Sequence, residues 1–304
     1  MTMKIDWLRG CATALVTPFK RDGTVAVETL RALVERQIAD GVRVLVPCGT
    51  TGESATMTLE EDQLVTRTTI EVARGRAHVI AGIGSNNTAI AIENARARLD
   101  VGVDALLAVA PYYNKPTQAG MLAHFEAIAR AFPKAPIVLY NVPGRTSSNI
   151  LPPTVLKLAR DIETIVAIKE ASGDLSQIMQ ILREHPENFR VLSGDDALTF
   201  PLLALGADGL ISVASNEVPG EMSQMINLAL EGNWDEARKL HYKLLALMDI
   251  NFIESSPGPV KAAMHMMGLL EENFRLPLVP ITDQSRAKLR DVLADLNLLK
   301  EATR

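Results

Sequence analysis

Three stretches of nearly the same form, "DGVRVLV" (40–46), "VGVDALL" (101–107) and "LGADGLI" (205–211), decide the fold. In each, a glycine (Gly41, Gly102 or Gly206) follows a helical pattern and precedes an apolar run. Glycine at that point can adopt the left-handed conformation that ends a helix, so the chain turns directly into a strand. A recurring helix, glycine, strand unit is what a closed β/α barrel requires. Alternation of strands and helices alone also suits an open doubly wound sheet, and it is the recurrence of the junction that favours the barrel.

Working outward, short aliphatic or β-branched runs recur: "CATALV" (11–16), "VLVP" (44–47), "VIAG" (79–82), "ALLAV" (105–109), "IVLY" (137–140), "IVAIK" (165–169), "VLS" (191–193) and "GLISV" (209–213). These are eight predicted strands. Between the first two, Leu30, Leu33, Val34 and Ile38 fall at helical spacing, and Thr58 with Glu61 has the form of a capping box opening the next helix. From about Pro219 the strands stop while helical patterns continue over 233–250 and 283–299. The expected architecture is an α/β fold, a TIM (β/α)8 barrel over residues 1–220, with a C-terminal helical extension over 221–304 packed on it.

The totals agree with one large soluble domain. The chain has 304 residues, 47% hydrophobic and 22% charged, with a net charge of -5. No run of five or more Lys/Arg occurs, so neither nucleic acid nor an anionic membrane is an expected partner. Cys11 and Cys48 sit in apolar runs as small hydrophobes, and neither shares metal-ligand spacing with the histidines. No metal is expected. The stretch "MTMKIDWLRG" lacks the apolar core of a signal peptide and no apolar run approaches the ~18 residues of a membrane span, so a cytoplasmic protein is expected.

In a barrel of this kind the active site lies at the carboxyl ends of the strands. There stand "GTTGE" (49–53), "PYYNKPTQ" (111–118), "NVPGRT" (141–146), "SGDD" (193–196) and, at the end of the sixth strand, Lys169. Strand alternation sets Ile165, Ala167 and Lys169 on one face and Val166, Ile168 and Glu170 on the other, so Lys169 points into the barrel mouth and need not pair with Glu170. A buried lysine is either held in a structural salt bridge or chemically useful. A nucleophilic lysine must be neutral, yet a free amine with a pKa of ~10.4 is neutral in only about one molecule in a few thousand at pH 7. Burial and a nearby cation such as Arg145 both favour the neutral form. Schiff-base chemistry also needs protons shuttled, and Tyr140, Tyr113 and Thr51 supply hydroxyls. None of these loops contains histidine, which argues against a His-dependent hydrolase. "GTTG" is a turn rich in backbone N–H donors suited to a carboxylate, and Arg145 could grip a second one bidentately; alternatively these are an ordinary loop and a solvated arginine.

The order "GTTGE", "PYYNKPTQ", "YNVPGRT", "IKEASGD", "LSGDD", "GLISV" and "PGPVKAAM" resembles the dihydrodipicolinate synthase family of lysine-dependent class I aldolases over nearly the whole chain. The resemblance implies that Lys169 forms a Schiff base with pyruvate and that no other cofactor is needed. It implies that Thr50 and Thr51 bind the pyruvate carboxylate and that Thr51, Tyr140 and Tyr113 relay protons. Arg145 would receive the carboxylate of L-aspartate-4-semialdehyde, with Gly194 and the backbone of Ile211 completing the pocket. It implies a homotetramer, a dimer of dimers, in which Tyr113 reaches into the neighbouring subunit's site. The wider superfamily includes N-acetylneuraminate lyase and 2-keto-3-deoxy sugar acid aldolases. Thr50, Thr51 and Arg145 favour the synthase over these, and the presence of every proton-relay residue disfavours a non-catalytic keto-acid sensor. Members inhibited by lysine use a pocket matching Ser54, Ala55, Asn86 and Tyr112, but commonly carry His and Glu where this chain has Leu59 and Ile90. Weak or absent inhibition is therefore expected.

Overall fold

The computed structural model describes residues 3 and 5–299. Eight strands form one closed parallel barrel in chain order. They are β1 (Gly10–Ala14), β2 (Val44–Val46), β3 (His78–Gly82), β4 (Ala105–Val109), β5 (Ile137–Asn141), β6 (Ile165–Glu170), β7 (Arg190–Ser193) and β8 (Gly209–Ser212). β8 closes on β1 from Gly10 opposite Gly209 to Thr13 opposite Ser212, which excludes the open doubly wound sheet. The three junction glycines have φ of +93° (Gly41), +92° (Gly102) and +103° (Gly206), a conformation costly for any residue with a Cβ.

The strands read as continuous apolar runs because both of their faces are covered. One set of side chains fills the barrel interior, including Ala12, Val44, Ile80, Leu107, Val138, Tyr140, Ala167 and Ile211. The other set, including Leu45, Leu106, Leu139, Ile168 and Val191, packs against the surrounding helices. The helix Val27–Ala39 buries Leu30, Val34 and Ile38 in that layer, and Leu33 in a separate cluster with Val16, Val213 and Val260. The helix Leu59–Ala73 opens on the capping box, with Glu61 N–H donating to Thr58 Oγ1 and Thr58 N–H donating to the Glu61 side chain.

β6 departs from simple alternation. Its register against β5 pairs Ile137 with Ile165 and then Val138 with Ala167, leaving Val166 as an extra residue. Ile165 therefore faces the helices, while Val166 and Ala167 both join the interior. The expectation that Ile165 points inward is corrected by this bulge. Beyond it the phase is restored, with Ala167 and Lys169 inward and Ile168 and Glu170 outward, so the strand delivers Lys169 where strict alternation also placed it. Bulges of this kind recur beside active sites, where they re-aim a side chain.

After β8 come the helices Pro219–Leu230, Trp234–Ile250, Gly258–Met266 and Asp283–Asp295. The first buries Met222, Met225, Ile226 and Ala229 in a cluster shared with Cys11 of β1 and Leu210 of β8. A boundary at 220/221 falls inside this helix, whose apolar face packs over β1 and β8. Both cysteines are buried free thiols. Burial, seconded by Asp196, pushes Cys11 up to about 12, and burial pushes Cys48 well above its ordinary value, so both stay protonated at neutral pH.

Candidate active site

Tyr140 of β5 stands directly opposite Lys169 of β6, and Lys169 opposite Leu192 of β7. The lysine is 6% exposed and its Nζ lies 4.4 Å from the centroid of the Tyr140 ring. Among the described residues the amine has neither a hydrogen bond nor an ion pair. Glu170 does not supply one, because it points the other way. Its carboxylate accepts from Asn141 Nδ2 at 3.1 and 3.2 Å, from Ser172 N–H at 2.8 Å and from Gln177 Nε2 at 3.4 Å. The structural salt bridge considered for Lys169 is therefore absent among the described residues. Burial raises the carboxyl of Glu170 above its ordinary value, against the pull of these donors.

Gly194 follows β7 and lies against the lysine stem. A Cβ built there would meet Ala171 Cβ at 2.7 Å and Lys169 Cε at 2.9 Å. The glycine thus makes the space through which the side chain rises. Ile211, 1% exposed, lines the same interior from β8.

The turn after β2 presents Thr50, which is exposed, and Thr51, which is 5% exposed. Their backbone N–H groups donate no hydrogen bond among the described residues, whereas the turn closes through Glu53 N–H to Thr50 O at 3.1 Å. Two adjacent free donors are what a carboxylate requires. Arg145 sits exposed in the short helical turn Pro143–Thr146, its guanidinium 3.5 Å from Ser256 O. A cavity of about 590 Å³ is lined by Thr50, Tyr140, Arg145, Ser256, Pro277 and Leu278; Lys169 and Thr51 are not among its lining residues, and Tyr140 links it to the lysine.

The same cavity extends past Ser54, Ala55 and Tyr112 to Leu59 and Ile90. Asn86 lies to one side, where its carbonyl accepts from Asn114 Nδ2 at 2.9 Å. Tyr113 is not brought to Lys169 within one protomer. It is 87% exposed, has φ +72°, and its N–H reaches Thr146 O at 3.4 Å, which ties its loop to the Arg145 turn. The hydroxyls of Thr51, Tyr140 and Tyr113 are not hydrogen-bonded to one another.

The dihydrodipicolinate synthetase family model matches residues 7–296. The chain belongs to this family. It is 57% identical over 297 residues to the 4-hydroxy-tetrahydrodipicolinate synthase of Koribacter versatilis (strain Ellin345), covering 97% of this chain and 98% of the relative. Among solved structures, the dihydrodipicolinate synthase from Aquifex aeolicus superposes with a TM-score of 0.94 at 44% identity, covering 97% of this chain and all of that one. A monomeric dihydrodipicolinate synthase variant matches with a TM-score of 0.94 at 41% identity, over 96% of this chain and 97% of the other. Membership of the dihydrodipicolinate synthetase family makes the protein an enzyme of the lyase class, and relatives that match over their full length do not favour a sugar-acid lyase or a keto-acid sensor.

Two polar residues near the site lie in motifs quoted from the sequence but receive no role from them. Asp196, 1% exposed, accepts from Ser212 Oγ at 2.5 Å and from the N–H groups of Val213 and Ala214 at 3.0 and 3.2 Å, and so shapes the chain just after Ile211. Lys261 lies within "PGPVKAAM", where the only available signal was a lone charge in an otherwise apolar helical run.

Proposed function

We propose that the protein condenses pyruvate with L-aspartate-4-semialdehyde, through a Schiff base on Lys169, on the diaminopimelate route to lysine. The observation that carries this is the unpaired amine of Lys169 against the ring of Tyr140, a residue that also lines the cavity shared by Thr50 and Arg145. The Lys169 amine attacks the ketone carbon of pyruvate, and the oxygen leaves as water once Tyr140 has returned a proton to it. Loss of a methyl proton then gives the enamine carbon that attacks the aldehyde of the second substrate. The amine of that substrate displaces Lys169 as the product cyclises.

Thr50 and Thr51 hold the pyruvate carboxylate through their backbone N–H groups, Thr51 and Tyr140 relay protons, and Arg145 fixes the carboxylate of the semialdehyde. Gly194 and Ile211 shape the pocket around the keto acid. The exposure of Tyr113, with its strained backbone, supports its completing the relay in a neighbouring subunit of a tetramer built from two dimers. The chemistry needs no cofactor besides the lysine. Among the described residues no helix is long and apolar enough to cross a membrane, which supports a cytoplasmic setting.

Mass spectrometry of protein reduced with borohydride in the presence of pyruvate tests the reading. A pyruvate-derived adduct mapped to Lys169, with turnover of L-aspartate-4-semialdehyde in a coupled assay, is expected. An adduct on another side chain, or turnover undiminished in Lys169→Arg, would overturn it.

A further inference from the structure

The chain carries a second buried lysine whose surroundings are the reverse of those of Lys169. Lys261, on the helix Gly258–Met266, has a fully buried side chain whose Nζ donates to Glu53 Oε1 at 2.6 Å, Thr17 O at 3.1 Å and Asn273 O at 2.6 Å. It also lies 4.7 and 4.8 Å from the ring centroids of Phe19 and Phe274. Three acceptors match the three donors of an ammonium; burial pulls the amine below its ordinary value, and the charge and hydrogen bond of Glu53 oppose that pull. Its carboxylate partner, Glu53, is fully buried too.

Glu53 is the residue immediately after Thr50, Thr51 and Gly52, and its φ of +56° places it in the left-handed region. A non-glycine residue holds that conformation only when its surroundings fix it. The second tie comes from the other side of the turn: Thr17, whose carbonyl accepts from Lys261, donates its own hydroxyl to Gly52 O at 2.7 Å. Gly52 in turn lies so close to Cys48 N and Leu15 O that a Cβ would meet them at 3.0 and 3.1 Å. The ammonium of Lys261 thus sits at the base of the turn and holds both Glu53 and Thr17, while Thr50 lines the cavity and the N–H groups of Thr50 and Thr51 donate no hydrogen bond among the described residues.

We propose that Lys261 and Glu53 are positioning residues for the keto-acid carboxylate: their buried ion pair, brought by the C-terminal helical region, fixes the backbone of the "GTTG" turn. The inference rests on the reading of that turn as the cradle of pyruvate. It also gives the C-terminal region a part in the first substrate's binding that is separate from assembly.

The test is the pyruvate dependence of borohydride trapping at Lys169, measured alongside steady-state kinetics, in Glu53→Gln and Thr17→Val. Glu53→Gln keeps the shape of the side chain and removes its charge, while Thr17→Val loosens the Gly52 carbonyl and leaves the ion pair in place. The half-saturating pyruvate concentration is expected to rise by roughly 10- to 100-fold in Glu53→Gln, and in the same direction in Thr17→Val, with the KM for the aldehyde nearly unchanged. A purely structural role would lower the amount of active enzyme without moving the pyruvate dependence alone. Unaltered pyruvate dependence in either variant sinks the positioning role, whereas failure of the unaltered enzyme to form an adduct at Lys169 sinks the reading of the site instead.

Discussion

Gly194 and Lys169 are fitted to each other: a single methyl on the glycine would stand 2.9 Å from Cε and 3.1 Å from Cγ of the lysine. The lysine stem is buried and its Nζ rests 4.4 Å from the centroid of the Tyr140 ring, so a shift of the stem would move the amine off that ring. Gly194 also donates its N–H to Glu170 O at 2.7 Å, which fixes the glycine to the strand that carries the lysine. Gly194→Ala is therefore expected to keep the fold and to displace the amine, lowering kcat/KM by roughly 10²-fold. Circular dichroism and steady-state kinetics check this, and a fully active alanine variant would show that the lysine stem has room to spare.

The barrel was legible because its signals are local. Gly41, Gly102 and Gly206 each end a helix with a positive φ, and an apolar run follows each of them. The bulge at Val166 was not legible, because an extra residue in one strand leaves the composition of "IVAIK" untouched and shows only in pairing with β5. Lys261 was hidden for a related reason. Its partner Glu53 lies far away in sequence, and a lysine in a short apolar helix gives no hint of which loop it will meet. Lys169 stood out because a strand end at a barrel mouth is a place where the fold itself assigns a role.

Lysine is expected to inhibit weakly or not at all. The cavity beside Ser54, Ala55 and Tyr112 is walled by Leu59 and Ile90. Its two carboxylates are already engaged, Glu53 by Lys261 and Asp62 by the buried guanidinium of Arg98. An ammonium entering there meets carboxylates already neutralised by Lys261 and Arg98, and where His and Glu would stand it finds Leu59 and Ile90, so it loses a charge-assisted interaction worth roughly 1.5 to 3 kcal/mol. Initial rates under increasing L-lysine check the point, and inhibition in the micromolar range would refute it.

Tyr113 stands exposed on a loop tied to Thr146, with no contact to Lys169 among the described residues. If it completes a neighbour's proton relay, Tyr113→Phe lowers kcat by roughly 10²-fold, the usual range for losing a general acid or base, while leaving assembly intact. A variant shown by sedimentation to be monomeric should be nearly inactive. Full activity in such a monomer would remove the tyrosine from the mechanism.

Arg145 meets Ser256 O at 3.5 Å and otherwise faces the cavity. Arg145→Lys retains the charge but loses the planar fork that binds a carboxylate through two parallel bonds. The KM for L-aspartate-4-semialdehyde is expected to rise by about tenfold, with the rate of adduct formation from pyruvate unchanged. An equal effect on both substrates would mean that the guanidinium does not discriminate between them.

Acid should loosen the cavity mouth through Glu61 and Arg275. The guanidinium of Arg275 donates to both oxygens of Glu61, at 2.6 and 2.5 Å, and also to Gly23 O and Thr56 O. It anchors the segment that carries Pro277 and Leu278 over the cavity. Its hydrogen bonds hold the Glu61 carboxyl down at about 2, below its ordinary value. Because the folded value is depressed, the stabilisation is fully present above the unfolded value of ~4.3 and is lost as pH falls toward and through about 2. Glu61→Gln can still serve as the reciprocal partner in the capping box, so comparison with it isolates the charge. The gap in unfolding free energy between the two proteins should be constant from pH 7 to about 5 and close progressively between about pH 4 and 2. A gap that persists unchanged at the acid end would mean that the carboxylate contributes by shape and hydrogen bonding alone, and that the mouth is held by something other than this pair.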